Sequence, residues 1–197
     1  KIDGIERFSG EQYHTGAWPR EGVDFRGKRV GLIGTGSTGI QATPVIAAEA
    51  DHLTVFQRTP IWCFPKLDVP LPPAARWLMR LPFGAVVQRL LSQAYVEFTF
   101  PLAAQYFTVN PLARRMDAAG RAYLRRQVHD PVVRDKLTPR YAVGCKRPGF
   151  HNTYLATFNR DNVDLVTEPI TTVTGSGVMT ADGAHHEVEV LILATGF

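Results

Sequence analysis

The sequence predicts an α/β fold with a parallel sheet, a helical insertion and a C-terminal β-meander. Three observations carry that expectation. Residues 28–57 give strand, helix and strand signals in turn. Residues 87–123 carry apolar side chains at helical spacing, and residues 163–194 hold short β runs separated by turn residues.

Taken in order, residues 1–27 form a loop-rich opening segment punctuated by Gly4, Gly10, Gly16, Pro19, Gly22 and Gly27. Lys28 to Gly34 (KRVGLIG) is a short apolar run between a turn and glycines, typical of a buried parallel strand. Ser37 to Ala50 reads as a helix, and Leu53 to Gln57 (LTVFQ) as a second buried strand, which completes a βαβ unit. Residues 59–85 contain Pro60, Pro65, Pro70, Pro72, Pro73 and Pro82 and are expected to wander. Val87, Leu90, Leu91, Ala94, Tyr95 and Phe98 then recur on one helical face, and Pro101 is expected to stop that helix. A more basic helix is expected around Leu112, Met116, Ala119 and Tyr123. The whole insertion covers about residues 68–130. Runs at Val163–Val166, Thr171–Val173 and Val188–Ala194, with a turn at Asp182-Gly183, give the β end of the chain.

Composition narrows the class. Of 197 residues, 45% are apolar and 20% charged, which excludes a disordered chain. Two cysteines, Cys63 and Cys145, exclude a disulfide framework and a four-cysteine zinc site; no metal site is expected, and the setting reads as reduced and cytoplasmic. Cys145 lies next to Lys146 and Arg147 but reads as a packed small residue. His185 and His186 are adjacent on an expected strand, so they point to opposite faces. The net charge of +4 hides an asymmetry: Arg76 to Arg147 carry thirteen Lys and Arg against four acids. No RNP-like, zinc-finger or helix-turn-helix signature accompanies that block, so no nucleic acid partner is expected. A basic block beside the apolar stretch 77–112 also fits peripheral contact with an anionic membrane; the alternative is an insertion packed against protein. Lys1 to Gly10 contain no secretory segment, and the absence of an initial Met reads as a piece of a longer chain.

Gly34-Thr35-Gly36-Ser37-Thr38-Gly39 is G-x-G-x-x-G, set directly after a strand and opening a helix. Glycines there permit a tight turn and let backbone N–H groups meet a pyrophosphate at the helix N-terminus. The expectation is a Rossmann-like dinucleotide-binding domain. After the second strand, a unit for NAD places an acid on the ribose 2′-OH, whereas this chain has Gln57-Arg58-Thr59. A guanidinium there suits a 2′-phosphate, which favours NADPH.

Phe8-Ser9-Gly10-Glu11-Gln12-Tyr13-His14-Thr15-Gly16-Ala17-Trp18-Pro19 fits F-x-G-x-x-x-H-x-x-x-W-P. Phe, Gly, His and Trp at that spacing arise by chance roughly once per million positions. The pattern resembles the fingerprint of the Baeyer–Villiger monooxygenases, relatives of the flavin-containing monooxygenases. GTGSTGIQ, VFQRTP, GCKRP at 144–148, FNRDNVDLV at 158–166 and LILATGF at 191–197 extend the resemblance, which thins between about residues 65 and 130.

The resemblance implies a chain organised as a linker at 1–27 and an NADPH-binding domain at 28–197. With a single G-x-G-x-x-G, an FAD domain is expected outside this sequence. Gly34, Thr35, Gly36, Ser37, Thr38, Gly39 and Gln41 would line the pyrophosphate and ribose, and Arg58, Thr59 and Lys146 the 2′-phosphate. Arg147 would be the active-site arginine beside the flavin. Phe8, Gly10, His14, Trp18 and Pro19 would mark the domain junction. The implied activity uses NADPH, FAD and O2 to convert a ketone to an ester or lactone. A sulfide- or amine-oxidising flavin monooxygenase and a non-catalytic NADP-binding module are the alternatives.

Overall fold

The computed structural model describes residues 2–66, 68, 70–104 and 111–196. Along the chain lie β1 (Glu11–His14), β2 (Arg29–Ile33), α1 (Ser37–Glu49), β3 (His52–Phe56), β4 (Cys63–Phe64), α2 (Pro73–Arg80), α3 (Gly84–Ala104), α4 (Pro111–Gln127) and α5 (Pro131–Lys136). They are followed by β5 (Gly149–Phe150), α6 (Tyr154–Thr157), β6 (Val163–Val166), β7 (Ile170–Val173), β8 (Gly177–Thr180), β9 (His185–Glu187) and β10 (Val190–Leu193). The main sheet is parallel throughout, in the order β1-β10-β2-β3-β6. β7, β8 and β9 form a separate antiparallel sheet, and β4 pairs with β5.

Strand side chains alternate between two cores, as a pleated strand requires. Val30, Leu32, Leu53, Val55, Val190 and Ile192 face one side, where Ile40 and Ile46 of α1, Leu124 of α4 and Tyr154 of α6 cover them. Ile33, Phe56 and Leu191 face the other, against Phe8 and against Val173, Val178 and Val188 of the meander region. Each fully buried apolar side chain contributes about 1.5–3 kcal/mol. The sheet is therefore held between helices and a small antiparallel sheet.

The βαβ unit, the insertion helices and the meander fall where the sequence places them. Five local expectations are corrected. Glu11–His14, inside the loop-rich opening segment, is an edge strand pairing with β10. The final run leaves the meander: Val190–Leu193 inserts between β1 and β2 because its apolar side chains need burial on both faces. The Pro-rich stretch holds β4 and α2, since Pro73 at the first turn of α2 has no helical N–H bond to lose. α3 continues through Pro101 to Ala104 rather than stopping at that proline. Cys145 is exposed, and both cysteines are free.

Candidate functional site at the carboxyl edge of the sheet

Register sets the site. His14, Leu193, Ile33, Phe56 and Val166 pair in one row across the main sheet, at the carboxyl ends of its strands. The segments that follow them therefore share one edge, where open α/β sheets bind ligands.

The glycine loop occupies the centre of this edge, with three distinct roles. Gly34 has φ 108°, and a Cβ there would lie 2.5 Å from the Ala194 carbonyl oxygen, so only glycine makes this turn. A Cβ on Gly39 would run into the Gly34 carbonyl, which lets α1 pack tightly on the turn. A Cβ on Gly36 would meet nothing within 4 Å; its face is open. Ser37 and Thr38 are exposed at the start of α1, and Gln41 Nε2 donates back to the Ser37 carbonyl at 3.1 Å. The loop thus fits a dinucleotide pyrophosphate: two glycines shape it, and the third leaves room for approach.

Thr35 is buried, and its hydroxyl donates to the Thr59 carbonyl at 3.3 Å, tying the loop to the Gln57-Arg58-Thr59 segment. A cleft of about 370 Å³ opens at that segment, lined by Gln57, Arg58, Thr59, Pro60, Tyr141 and Thr167 and by the end of α5. Its far wall is fixed by three hydrogen bonds. Tyr141 Oη donates to Pro60 O at 2.8 Å, Trp62 Nε1 to Tyr141 O at 2.8 Å, and Gln57 Nε2 to Lys136 O at 2.8 Å. Burial pushes the Tyr141 hydroxyl pKa up, keeping it a neutral donor.

The remaining expected residues distribute unevenly. Arg58 is exposed at the cleft and forms no hydrogen bond or ion pair among the described residues. Lys146 is not among the residues lining the cleft; its Nζ lies 5.2 Å over the ring of Tyr141, which is. Arg147 is exposed, two residues before Gly149, whose Cβ position would collide with Ile40 of α1. Within the fingerprint, Phe8 is buried in the meander-side core, and a Cβ on Gly10 would strike the Glu189 carbonyl. His14 ends β1, where Nδ1 accepts from the Gly16 N–H at 3.1 Å. Trp18 leads into Pro19 and packs between Tyr13 and Phe25, with ring centroids 5.8 and 6.3 Å away.

Sequence reasoning missed Lys136, Arg140 and Tyr141 as cleft residues. Only the return of the chain to Pro60 and Trp62 brings them there, and no local pattern signals that return. Among the described residues no cluster of three or more His, Cys, Asp or Glu could hold a metal ion.

No family model matches this chain. It is 35% identical to an FAD-binding monooxygenase, ktnD, of Aspergillus niger over 198 residues, covering 100% of this chain and 32% of that protein. It is 36% identical to a Baeyer–Villiger monooxygenase of Streptomyces coelicolor (100% and 37% covered) and 32% identical to cyclopentanone 1,2-monooxygenase of a Comamonas species (100% and 42%). The structure matches oxidised steroid monooxygenase bound to NADP with a TM-score of 0.85 at 36% identity, covering 100% of this chain and 44% of that one. Over its whole length the chain is similar to Baeyer–Villiger monooxygenases. It spans 32% to 44% of the length of these relatives. A second solved structure, OTEMO in complex with FAD and NADP, gives a TM-score of 0.84 at 33% identity, covering 100% of this chain and 44% of that one.

Proposed function

We infer that this chain is the NADPH-binding portion of an FAD-dependent monooxygenase that places one oxygen atom of O2 into a small ketone. The overall balance is ketone, O2, NADPH and a proton giving ester or lactone, water and NADP+. The observation that carries the reading is the glycine loop, with its open Gly36 face joined through Thr35 to an arginine-lined cleft. The domain division follows: 1–27 as linking segment, supplying β1, and 28–197 as nucleotide domain with its insertion, the FAD domain being outside this sequence.

In this reading, backbone N–H groups around Gly36 hold the pyrophosphate, and Arg58 and Thr59 hold the adenosine 2′-phosphate. When bound, the two cofactors supply hydride transfer and oxygen activation; the protein supplies position and charge. Arg147 is extended by the following Pro148 and bears a permanent charge. It orients the reacting groups and stabilises negative charge developing on the former carbonyl oxygen.

The test uses the full-length polypeptide. Purified protein should carry flavin absorbance, consume NADPH faster when a cyclic ketone is added, and release the matching lactone. Sulfoxide from a thioether with no lactone from any ketone would favour the sulfide-oxidising alternative. Protein without flavin that still binds NADP+ would leave a non-catalytic module.

A finer reading sets residues 77–112 against an anionic membrane surface, supported by exposed Trp77, Leu78 and Phe83 beside Arg76 and Arg80. No helix among the described residues is long and apolar enough to cross a membrane, and residues 105–110 lie outside the description. Full-length protein that fails to float with anionic vesicles rejects this contact.

A further inference from the structure

The cleft beside β3 presents a cation that the motifs do not point to. In a strand–helix–strand nucleotide unit, the ribose 2′ position meets the residues just after the second strand, here Arg58 and Thr59. The groups facing Arg58 across the cleft come from the end of α5 and the loop beyond it. Most are already engaged. Arg140 turns to Asp135 at 3.6 Å, Thr138 Oγ1 donates to Arg134 O at 2.7 Å, and Tyr141 Oη donates to Pro60 O. Lys136 differs. Its Nζ reaches only the Leu165 carbonyl, at 3.4 Å, which is longer than a good N–H···O bond and leaves its other protons unused.

Three further observations single it out. Lys136 is half-buried, so its charge is screened less than that of exposed Lys146. Its backbone is anchored, because Gln57 Nε2 donates to its carbonyl at 2.8 Å and ties the two walls together. Gln57 Oε1 is buried without a donor among the described residues, an acceptor suited to a ribose hydroxyl beside the phosphate rather than to the phosphate itself. With Asp135 matched by Arg140, the cleft keeps two uncompensated cations, Arg58 and Lys136, suited to a dianion.

We propose that Lys136 grips the 2′-phosphate of the dinucleotide from the wall opposite Arg58 and sets the preference for NADPH over NADH. This rests on the NADPH reading above. Lys146, over the Tyr141 ring, is not among the residues that line the cleft.

The experiment measures NADP+ and NAD+ affinities of the full-length flavoprotein by calorimetric titration, for wild type, Lys136→Met, Lys136→Arg and Lys146→Met. Lys136→Met should weaken NADP+ about tenfold or more, the loss of one charged hydrogen bond, while NAD+ stays within about twofold. Lys136→Arg should keep most of the preference, and Lys146→Met should cost less than Lys136→Met. In the wild type, saturating NADP+ should shield Lys136 from amine acetylation, read by peptide mass, and NAD+ should not. This second measurement needs no variant to fold. Equal losses of NADP+ and NAD+ in Lys136→Met, or a Lys136 acetylated as fast with NADP+ as without, overturn the assignment while NADP+ binding itself stands. A wild type that binds neither dinucleotide overturns the NADPH reading and this proposal with it.

Discussion

Gly36 and Gly39 belong to one motif, and alanine at each should fail in opposite ways. Gly36 has φ −72° and ψ −172°, a conformation open to any residue, and its Cβ would touch nothing within 4 Å. Gly36→Ala should thus leave stability within about 0.5 kcal/mol, or raise it slightly by restricting the unfolded chain. Its methyl group would stand on the face a pyrophosphate must approach, so NADP+ affinity should fall at least about tenfold, roughly 1.4 kcal/mol. Gly39→Ala would instead press a methyl group onto the Gly34 carbonyl. Overpacking costs about 1–3 kcal/mol, and the gain in helix propensity returns at most about 1 kcal/mol. Because the clash is with backbone, a net loss of about 2 kcal/mol is expected. Thermal melts and NADP+ titrations of the full-length protein read both quantities. A Gly36→Ala protein that binds NADP+ as the wild type does, or melts as low as Gly39→Ala, would refute the assignment of the open face.

Arg58→Ala should weaken NADPH by about 1–3 kcal/mol while NADH changes little; equal losses would show that this arginine does not read the 2′-phosphate. Arg147→Ala should leave NADPH binding and flavin reduction intact and lower ester formation by something like 10²–10³-fold. A variant defective in NADPH binding but normal at saturation would return Arg147 to a phosphate-binding role. His151 gives a pH prediction. Burial, with Lys66 adding a little, lowers its pKa from the ordinary 6.5, and its unprotonated Nδ1 accepts from the Thr153 and Tyr154 amides at 3.2 and 3.1 Å. The unfolded chain takes up the proton first, so this stabilisation is complete above about pH 6.5 and is lost as pH falls below it. Melting temperatures followed from about pH 8 to 5.5 should fall further for wild type than for His151→Asn, and parallel curves would contradict this.

What the sequence reveals depends on whether a segment carries its reason locally. KRVGLIG and LTVFQ are apolar because both faces of a central parallel strand are buried, and the run alone says so. Glu11–His14 carries no such run: as an edge strand its first two side chains are exposed, and only pairing with β10 makes it a strand. The insertion shows the other limit. Its spacing correctly marks a helix, but a helical face implies a partner, and the described side chains of α3 from Ala85 to Phe98 are exposed on every side. Periodicity reports that a segment is helical; it does not report what covers it.

The site follows the same logic at a larger scale. Motifs at 8–19, 34–39, 57–59 and 191–197 look scattered along the chain, yet two of them begin where a parallel strand stops and the other two run through such an end. Parallel strands all release their chains at one edge, so Thr15, Gly34, Gln57, Thr167 and Ala194 emerge side by side there. This explains why the fingerprint histidine stands near a nucleotide loop twenty residues away: His14 pairs with Leu193, and Leu193 pairs with Ile33, the residue before Gly34. β10 is thus the mechanical link between the two motifs. Any movement of the fingerprint segment relative to the glycine loop must pass through that strand or break its pairing with β1.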